Sequence, residues 1–192
     1  MKYLRNLSGI TFIVLILILT TIFANLNAQT KEYQIQSVLI WKIIPYLEWP
    51  NQNDSISETN PFIISVIGQN PFGNILELSA RKRKLKNREV KINYVEDIES
   101  IGNCQVLFIS RFEKNKICQI LSKAENKPIL IISDAPNCCQ KGVHINFYLE
   151  KNRIKFKLNL DTLNSAGFEV DFRLRNIAEV FSENSEEINE SP

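Results

Sequence analysis

The sequence has few of the side chains that usually carry catalysis or bind metals. His144 is the only histidine in the 192 residues. A single histidine excludes a multi-histidine metal site and weakens any Ser-His-Asp arrangement. The four cysteines form no Cys-x-x-Cys pair, and no carboxylate spacing is typical of general acid–base catalysis. The sequence therefore predicts a protein that is not an enzyme, with no cofactor and no metal.

The chain also lacks a hydrophobic run long enough to cross a membrane. Lys2 and Arg5 precede a mostly apolar run, Ile10 to Phe23, and the small residue Ala28 follows. This run is shorter than the roughly 20 residues that a membrane-spanning helix needs. We predict a secretory signal peptide over residues 1–28, cleaved after Ala28, and a periplasmic protein without a stable membrane anchor. An uncleaved anchor helix is the alternative.

An excess of charge is also missing. The signal removes two of the 23 basic residues and none of the 21 acidic ones, which leaves the two signs balanced. Residues 183–192 contain four glutamates and no Lys or Arg, so we predict a flexible acidic tail there. The remaining residues, 29–182, suffice for one domain. A balanced charge does not suit an extended nucleic-acid interface, and no nucleic-acid partner is expected.

Pro61 to Ala80 is the stretch around which the rest is organised. Phe62 to Ile67 is apolar except for one serine and predicts a buried strand, and helical spacing follows. We expect Asn70 to cap that helix and Pro71 to occupy its first position. The turn between them lies where α/β proteins commonly bind ligands. Its two glycines are spaced as in a phosphate-binding loop, but the required Lys-Ser/Thr is absent, which argues against nucleotide binding.

Periodicity along the remaining chain predicts α/β architecture. A helix from about Glu32 to Ile44 should end before Pro45, with one buried face that includes the residues Ile35, Val38, Leu39, Ile43 and Tyr46. Further strands are expected at 90–95, 105–110 and 129–133, with a helix face from Ile117 to Ala124. Strands separated by helix-length segments indicate one domain with a mostly parallel sheet flanked by helices.

The last third of the chain predicts an antiparallel C-terminal hairpin. Apolar and polar residues alternate over 143–150 and 154–161, with Lys151-Asn152 as a two-residue turn. His144 falls on the polar face and is expected to be solvated. A short helix should end at Gly167. A final amphipathic helix is predicted from the spacing of Leu174, Ile177, Ala178 and Phe181.

Three features leave alternatives open. Trp41 and Trp49 suit either packing of the first helix against the sheet, which we favour, or a binding site. The basic run from Arg81 to Lys84 fits a solvated turn, the preferred interpretation, or a contact with anionic lipid or an acidic partner. Export permits disulfides, yet we expect free or partly paired thiols, without a defined pairing, at Cys104, Cys118, Cys138 and Cys139.

Several segments, in this order and spacing, resemble the YfiR family of exported regulatory proteins, also known as the DUF4154 domain. The resemblance runs from about Glu32 to Phe181. It is carried by LIWKIIPYLEWP, FIISVIGQNPFG, CQVLFIS and the long segment from Ser133 to Phe181. The positions that match best are Trp49-Pro50, Gly68, Pro71-Phe72, 145–147 and 156–160. Pro45, His144 and the adjacent Cys138-Cys139 depart from the pattern.

The resemblance implies a periplasmic domain without catalysis that forms a homodimer. It also implies a regulator that binds the periplasmic region of a membrane-bound signalling protein and represses a diguanylate cyclase. Our leading hypothesis is this regulator, acting by protein–protein contact. The alternative is a periplasmic small-ligand-binding module, with its pocket near Gly68 to Phe72 and Ser110 to Phe112. The ligand or partner surface is predicted at Gly68, Asn70, Pro71, Phe72 and Trp49.

Overall fold

The computed structural model describes residues 31–50 and 60–181, together with Val14 and Gln29. Apart from Val14, the predicted signal peptide lies outside the described residues, and so does the predicted acidic tail. Within the described ranges, none of the helices combines the length and the apolar composition needed to cross a membrane.

Five α-helices, four short 3-10 helices and ten strands make up the described chain. The first helix, α1, includes residues 31–43. The other helices are α2 (Ile75–Ala80), α3 (Ile117–Ala124), α4 (Leu160–Ser165) and α5 (Phe172–Arg175). The strands are β1 (Leu47–Glu48), β2 (Phe62–Ile67), β3 (Lys84–Leu85), β4 (Arg88–Val95), β5 (Val106–Ile109), β6 (Leu130–Ser133), β7 (Ile145–Glu150), β8 (Arg153–Asn159), β9 (Glu169–Val170) and β10 (Glu179–Phe181).

Eight of these strands form one mixed sheet in the order β10-β8-β7-β6-β5-β2-β4-β3. Its centre, from β4 through β2, β5 and β6 to β7, is parallel. The hairpin of β7 and β8 is antiparallel, with Ile145 opposite Leu158. A separate two-stranded ribbon pairs β1 with β9. The predicted fold class, a mostly parallel sheet flanked by helices with an antiparallel hairpin near the C-terminus, is confirmed.

Each face of the sheet carries its own apolar cluster. The face covered by α1 and α2 buries large side chains such as Phe72 and Leu76 against Phe108 and Ile132. The opposite face packs Ile117 and Ile120 of α3 against Leu107, Ile109 and Ile131. Because the parallel strands are covered on both faces, they form continuous apolar runs with little alternation.

The helix predicted before Pro45 is confirmed, since the α-helix ends at residue 43 and one 3-10 turn, Ile44–Tyr46, follows. Its buried face differs from the predicted one: Ile35 is 48% and Val38 44% exposed. The reason lies at Tyr33, whose ring packs edge-on against Phe72 and whose hydroxyl donates to a buried carboxylate. These contacts fix the rotation of α1 and turn Ile35 and Val38 outward.

The predicted turn of the hairpin is confirmed. The polar face of the hairpin, however, is buried at His144, just before β7 begins. Lys151 and Asn152 have φ values of 47° and 62°, as a tight two-residue turn requires. The expectation for His144 was wrong, since this side chain is only 6% exposed and its Nδ1 accepts a hydrogen bond from the Ile131 N–H at 3.1 Å. Period-two alternation distinguishes the two faces of a strand, but it does not show that distant residues such as Phe168 pack on the polar one.

The final amphipathic helix is also a wrong prediction. Its residues form the single turn α5 and then β10, which pairs in parallel with β8. The open edge of β8 offers backbone partners that local helical spacing does not reveal. Glu179 anchors the added strand by accepting from the Tyr148 hydroxyl and pairing with Lys157. The short helix before Gly167 is confirmed, since α4 ends in a capping motif in which the Phe168 N–H donates to the Leu163 carbonyl.

The buried histidine gives the first testable prediction. Burial lowers the pKa of His144 to about 4, whereas an unfolded chain protonates near the ordinary value of 6.5. Between these pH values the unfolded state binds more protons than the folded one, so acidification stabilises the unfolded state. We expect the free energy of unfolding to fall by up to about 3 kcal/mol across this window. Urea unfolding from pH 7.5 to 4 measures the effect.

A His144→Asn variant is the control for carboxylates that titrate in the same range. Its side-chain oxygen can still accept from the Ile131 N–H, but it does not titrate. The pH profile of the wild type minus that of the variant should therefore show the loss. Parallel profiles for the two proteins would contradict the prediction.

Candidate functional site at the carboxyl edge of the sheet

The order of the strands along the chain reverses direction within the sheet at β2. This strand lies between β4 and β5, and the chain runs from β2 to β4 along one edge of β2 and then returns to β5 along its other edge. The turns that leave β2 and β5 therefore diverge toward opposite faces and open a crevice at the carboxyl ends of these strands. Such a switch point is where open α/β sheets bind ligands. The predicted segments, Gly68 to Phe72 and Ser110 to Phe112, meet there.

The turn after β2 is held by its own asparagine. Asn70 Oδ1 accepts from the Phe72 N–H at 2.9 Å, and Asn70 Nδ2 donates to the Gly73 carbonyl at 2.8 Å. The predicted helix start was wrong, because α2 begins at Ile75 with Asn74 as its N-cap, and Pro71 precedes it. Asn70 closes a local turn and leaves the helix N-terminus four residues away.

Phe72 anchors this turn in the core. It is 1% exposed and packs edge-on against Phe108 at 4.8 Å and Tyr33 at 5.4 Å between ring centroids. Asn70 and Pro71 remain half-buried at the surface. The turn therefore presents Asn70 and Pro71, while Phe72 supports them from below.

The turn after β5 closes the crevice from the other side. A Cβ at Gly68 would lie 2.4 Å from Cγ of Glu113, so only glycine allows this approach. Phe112 precedes Glu113 in this turn and is 47% exposed. The crevice has a volume of about 490 Å³ and is lined by Tyr33, Gln34, Phe112 and residues 69–75.

Trp49 lies apart from the other four predicted surface residues. It is 6% exposed, its Nε1 donates to the Gln105 carbonyl at 3.2 Å, and its ring packs against Phe62 and Phe168. Phe62 and Gln105 stand at the amino ends of β2 and β5, so Trp49 is at the opposite edge of the sheet from Asn70. Its contacts are those of the packing interpretation.

A cluster of charged groups lies next to the crevice. Arg111 follows β5, and its Nε donates to Asp134 Oδ2 at 2.6 Å while its backbone N–H donates to Asp134 Oδ1 at 2.6 Å. Its Nη2 donates to Glu32 of α1. The Tyr33 hydroxyl donates to Asp134 Oδ2 at 2.8 Å, and the Arg111 guanidinium stands over the Tyr33 ring. Arg111 thereby joins α1 to the ends of β5 and β6.

The electrostatics of this cluster favour its charged form. Burial opposes the charge of Arg111, but the carboxylates of Asp134 and Glu32 outweigh that effect and raise the pKa of the guanidinium. Burial, together with Asp134, raises the pKa of the Tyr33 hydroxyl, so this group stays protonated and donates. The arrangement is an ion network in which each group has a partner, with no free base or nucleophile.

Sequence reasoning did not single out Arg111, Asp134 or Glu32. A usable signal was present, because Arg111 and Asp134 each come just after the end of a buried strand, separated from it by at most one serine. Parallel strands end at one edge of a sheet, so charges that follow neighbouring strands lie close together. Glu32 carries no such signal, since its place depends on the packing of α1.

The structure gives no sign of reactivity at the cysteines or of a specific contact along most of the basic run. All four thiols are free, and Cys118 alone is exposed. Burial raises the pKa of Cys138 and of Cys139 to about 12, so neither is a reactive thiolate near neutral pH. Arg81 to Lys84 are exposed, as expected for a solvated turn, and Lys84 pairs with Glu89. The part of the chain that the structure describes contains no cluster of residues suited to hold a metal ion.

Comparison with known proteins places this fold in a family. The model of the YfiR/HmsC-like family, DUF4154, matches residues 33–179. The chain therefore belongs to the YfiR/HmsC-like family. No curated protein matches the sequence.

A solved structure supports the fold independently. A crystal structure of a conserved domain protein from Vibrio cholerae O1 biovar El Tor superposes with a TM-score of 0.55 at 10% sequence identity. The match covers 78% of this chain and 60% of that one. At this identity the likeness shows a shared fold alone.

The ion network predicts a large effect on stability. Arg111→Met would leave the fully buried Asp134 carboxylate without its cation, and removing one partner of a buried pair costs about 3 kcal/mol. Arg111→Lys should have an intermediate cost, because one ammonium group cannot replace the two-sided guanidinium. Urea unfolding at pH 7 measures both. Lys114→Met, an exposed change three residues away, should stay within about 0.5 kcal/mol of the wild type. An equally small effect of Arg111→Met would contradict a structural role for the network.

Proposed function

We propose that this protein is a periplasmic regulator that binds a membrane-bound signalling protein and represses it, with a diguanylate cyclase as the leading partner. The observation that carries the proposal is the family match over residues 33–179. The predicted signal peptide supports the same compartment. The charged groups near the crevice form ion pairs and hydrogen bonds with one another. Because none of them is left as a free base or nucleophile, they support regulation by protein–protein contact.

The rim of the crevice fits a protein partner. Phe112 exposes 47% of its surface beside Asn70 and Pro71, and aromatic side chains dominate the energy of protein interfaces. The backbone under Phe112 is fixed, since Ser110 Oγ accepts from the Phe112 N–H and the 3-10 turn Arg111–Glu113 follows. An apolar anchor on a rigid turn binds at a low cost in conformational entropy.

The proposal predicts that Phe112→Asp abolishes partner binding while the fold survives. The mature chain, immobilised, is incubated with solubilised membranes, and retained proteins are identified by mass spectrometry. Wild-type protein should retain a membrane sensor or cyclase, and the variant should retain at least tenfold less. Phe172→Asp is the matched control, because Phe172 is 69% exposed on α5, away from the crevice.

Cyclic di-GMP provides the readout in cells. Deletion of the gene should raise the cellular level of cyclic di-GMP. Expression of the wild-type protein or of Phe172→Asp should return that level to its original value, whereas expression of Phe112→Asp should leave it high. Retention of no membrane protein, together with unchanged cyclic di-GMP after deletion, would overturn the proposal.

The crevice itself supports a second candidate function, a small-ligand-binding module. Its volume of about 490 Å³ lies in the range of ligand pockets, and it occupies the switch point of the sheet. A metabolite screen by thermal shift should reveal a stabilising compound, and Asn74→Trp should remove the shift by filling the crevice from an exposed position. A flat response across a broad panel would argue against this function. The two functions are compatible, since a ligand can tune partner binding.

A further inference from the structure

A second and larger cleft lies at the opposite edge of the sheet. It has a volume of about 750 Å³ and opens where β6 and β7 begin, between the end of α3 and the helix α4. It is lined by residues from four segments of the chain, 121–131, 141–144, 161–166 and Pro50. None of the five residues predicted for a ligand or partner surface contributes to it.

His144 lies at the buried end of this cleft in a fixed orientation. Its Nδ1 accepts from the Ile131 N–H at 3.1 Å, so the neutral ring carries its hydrogen on Nε2. The ring packs against Phe168 at 5.5 Å between centroids. Among the described residues, none accepts a hydrogen bond from Nε2, and His144 lines the cleft. The side chain therefore offers one unused donor to the cleft although it is only 6% exposed.

The protonation state of this donor is also defined. Burial lowers the pKa of His144 to about 4, which keeps the ring neutral at physiological pH. A neutral ring with Nδ1 engaged cannot accept a hydrogen bond at Nε2, and it brings no charge. The group that complements it is an acceptor oxygen of a ligand, because the Nε2–H of a neutral ring can only donate.

The walls and the rim define the rest of the ligand. The walls are mainly apolar, with contributions from Leu121, Ala124, Pro128, Ile129, Ile131 and Ala166. The rim carries two cations, Lys127 and Lys141, and two anions, Glu125 and Asp161. This balance imposes no net charge on a ligand, whereas the apolar walls favour an apolar body.

We propose that the cleft between α3 and α4 binds a small, mostly apolar molecule that accepts a hydrogen bond from Nε2–H of His144 through a carboxylate or carbonyl oxygen. This site is distinct from the crevice at the carboxyl edge and does not depend on the regulatory function.

Because the chain contains one histidine, that side chain reports on its own site. Mature protein with ¹⁵N-labelled histidine and no polyhistidine tag is titrated with benzoate, benzamide and benzylammonium while the ring ¹⁵N signals are recorded by NMR. The three probes share one apolar body, but benzylammonium has donors only. Benzoate or benzamide should shift the Nε2 signal saturably, and benzylammonium should not. Response to benzoate alone identifies a carboxylate ligand, and response to both identifies the carbonyl oxygen as sufficient.

Two variants test the geometry, with affinity measured by calorimetry. His144→Asn keeps an acceptor for the Ile131 N–H but is too short to place a donor where Nε2 lies, and it should weaken binding about tenfold or more. Ser165→Trp fills the cleft from an exposed position and should abolish binding, whereas Asn164→Trp, exposed on the same helix but outside the cleft, should leave it unchanged. No saturable shift with either acceptor probe, an equal shift with benzylammonium, or full binding by Ser165→Trp would overturn the proposal.

Discussion

The guanidinium of Arg111 is the contact on which the carboxyl edge of the sheet depends. Asp134 has a fully buried side chain, and a buried carboxylate is tolerated when a cation and hydrogen-bond donors surround it. Arg111 and the Tyr33 hydroxyl supply them. The same guanidinium donates to Glu32 of α1. The cation that the buried carboxylate of Asp134 requires therefore also fixes the position of α1. Phe72 then packs against Tyr33, and the turn that lines the crevice follows from that contact.

The two edges of the sheet distribute their polar groups differently. At the carboxyl edge, each charged group of the network has a partner within the fold, so the surface offered to other molecules consists of Asn70, Pro71 and Phe112. At the amino edge, Trp49 donates to a backbone carbonyl and is saturated, while His144 uses one ring nitrogen for the fold and keeps the other. The carboxyl edge therefore suits contact with the surface of another protein. The amino edge suits a ligand with one hydrogen-bond acceptor.

Local patterns in the sequence predicted the elements, whereas tertiary contacts decided the cases that failed. The end of α1 before Pro45, the face of α3 and the turn at Lys151-Asn152 depend on neighbouring residues and were predicted correctly. His144 became buried because the Phe168 ring and the backbone of Ile131 lie against it, and residues 179–181 became a strand because β8 had an open edge. The turn from Gly68 to Phe72 lies at the carboxyl end of β2, as its position directly after the apolar run predicts. Glu32 and Trp49 could not be placed, because their positions follow from the packing of distant segments.

The position of Arg111 next to Phe112 constrains how a partner can use the crevice rim. Displacing the turn that carries Phe112 would separate Arg111 from Asp134 and from Glu32, and breaking such a pair costs about 3 kcal/mol. A partner would have to supply that free energy from its own contacts before it gained any affinity. Binding to the turn in its existing conformation avoids the cost.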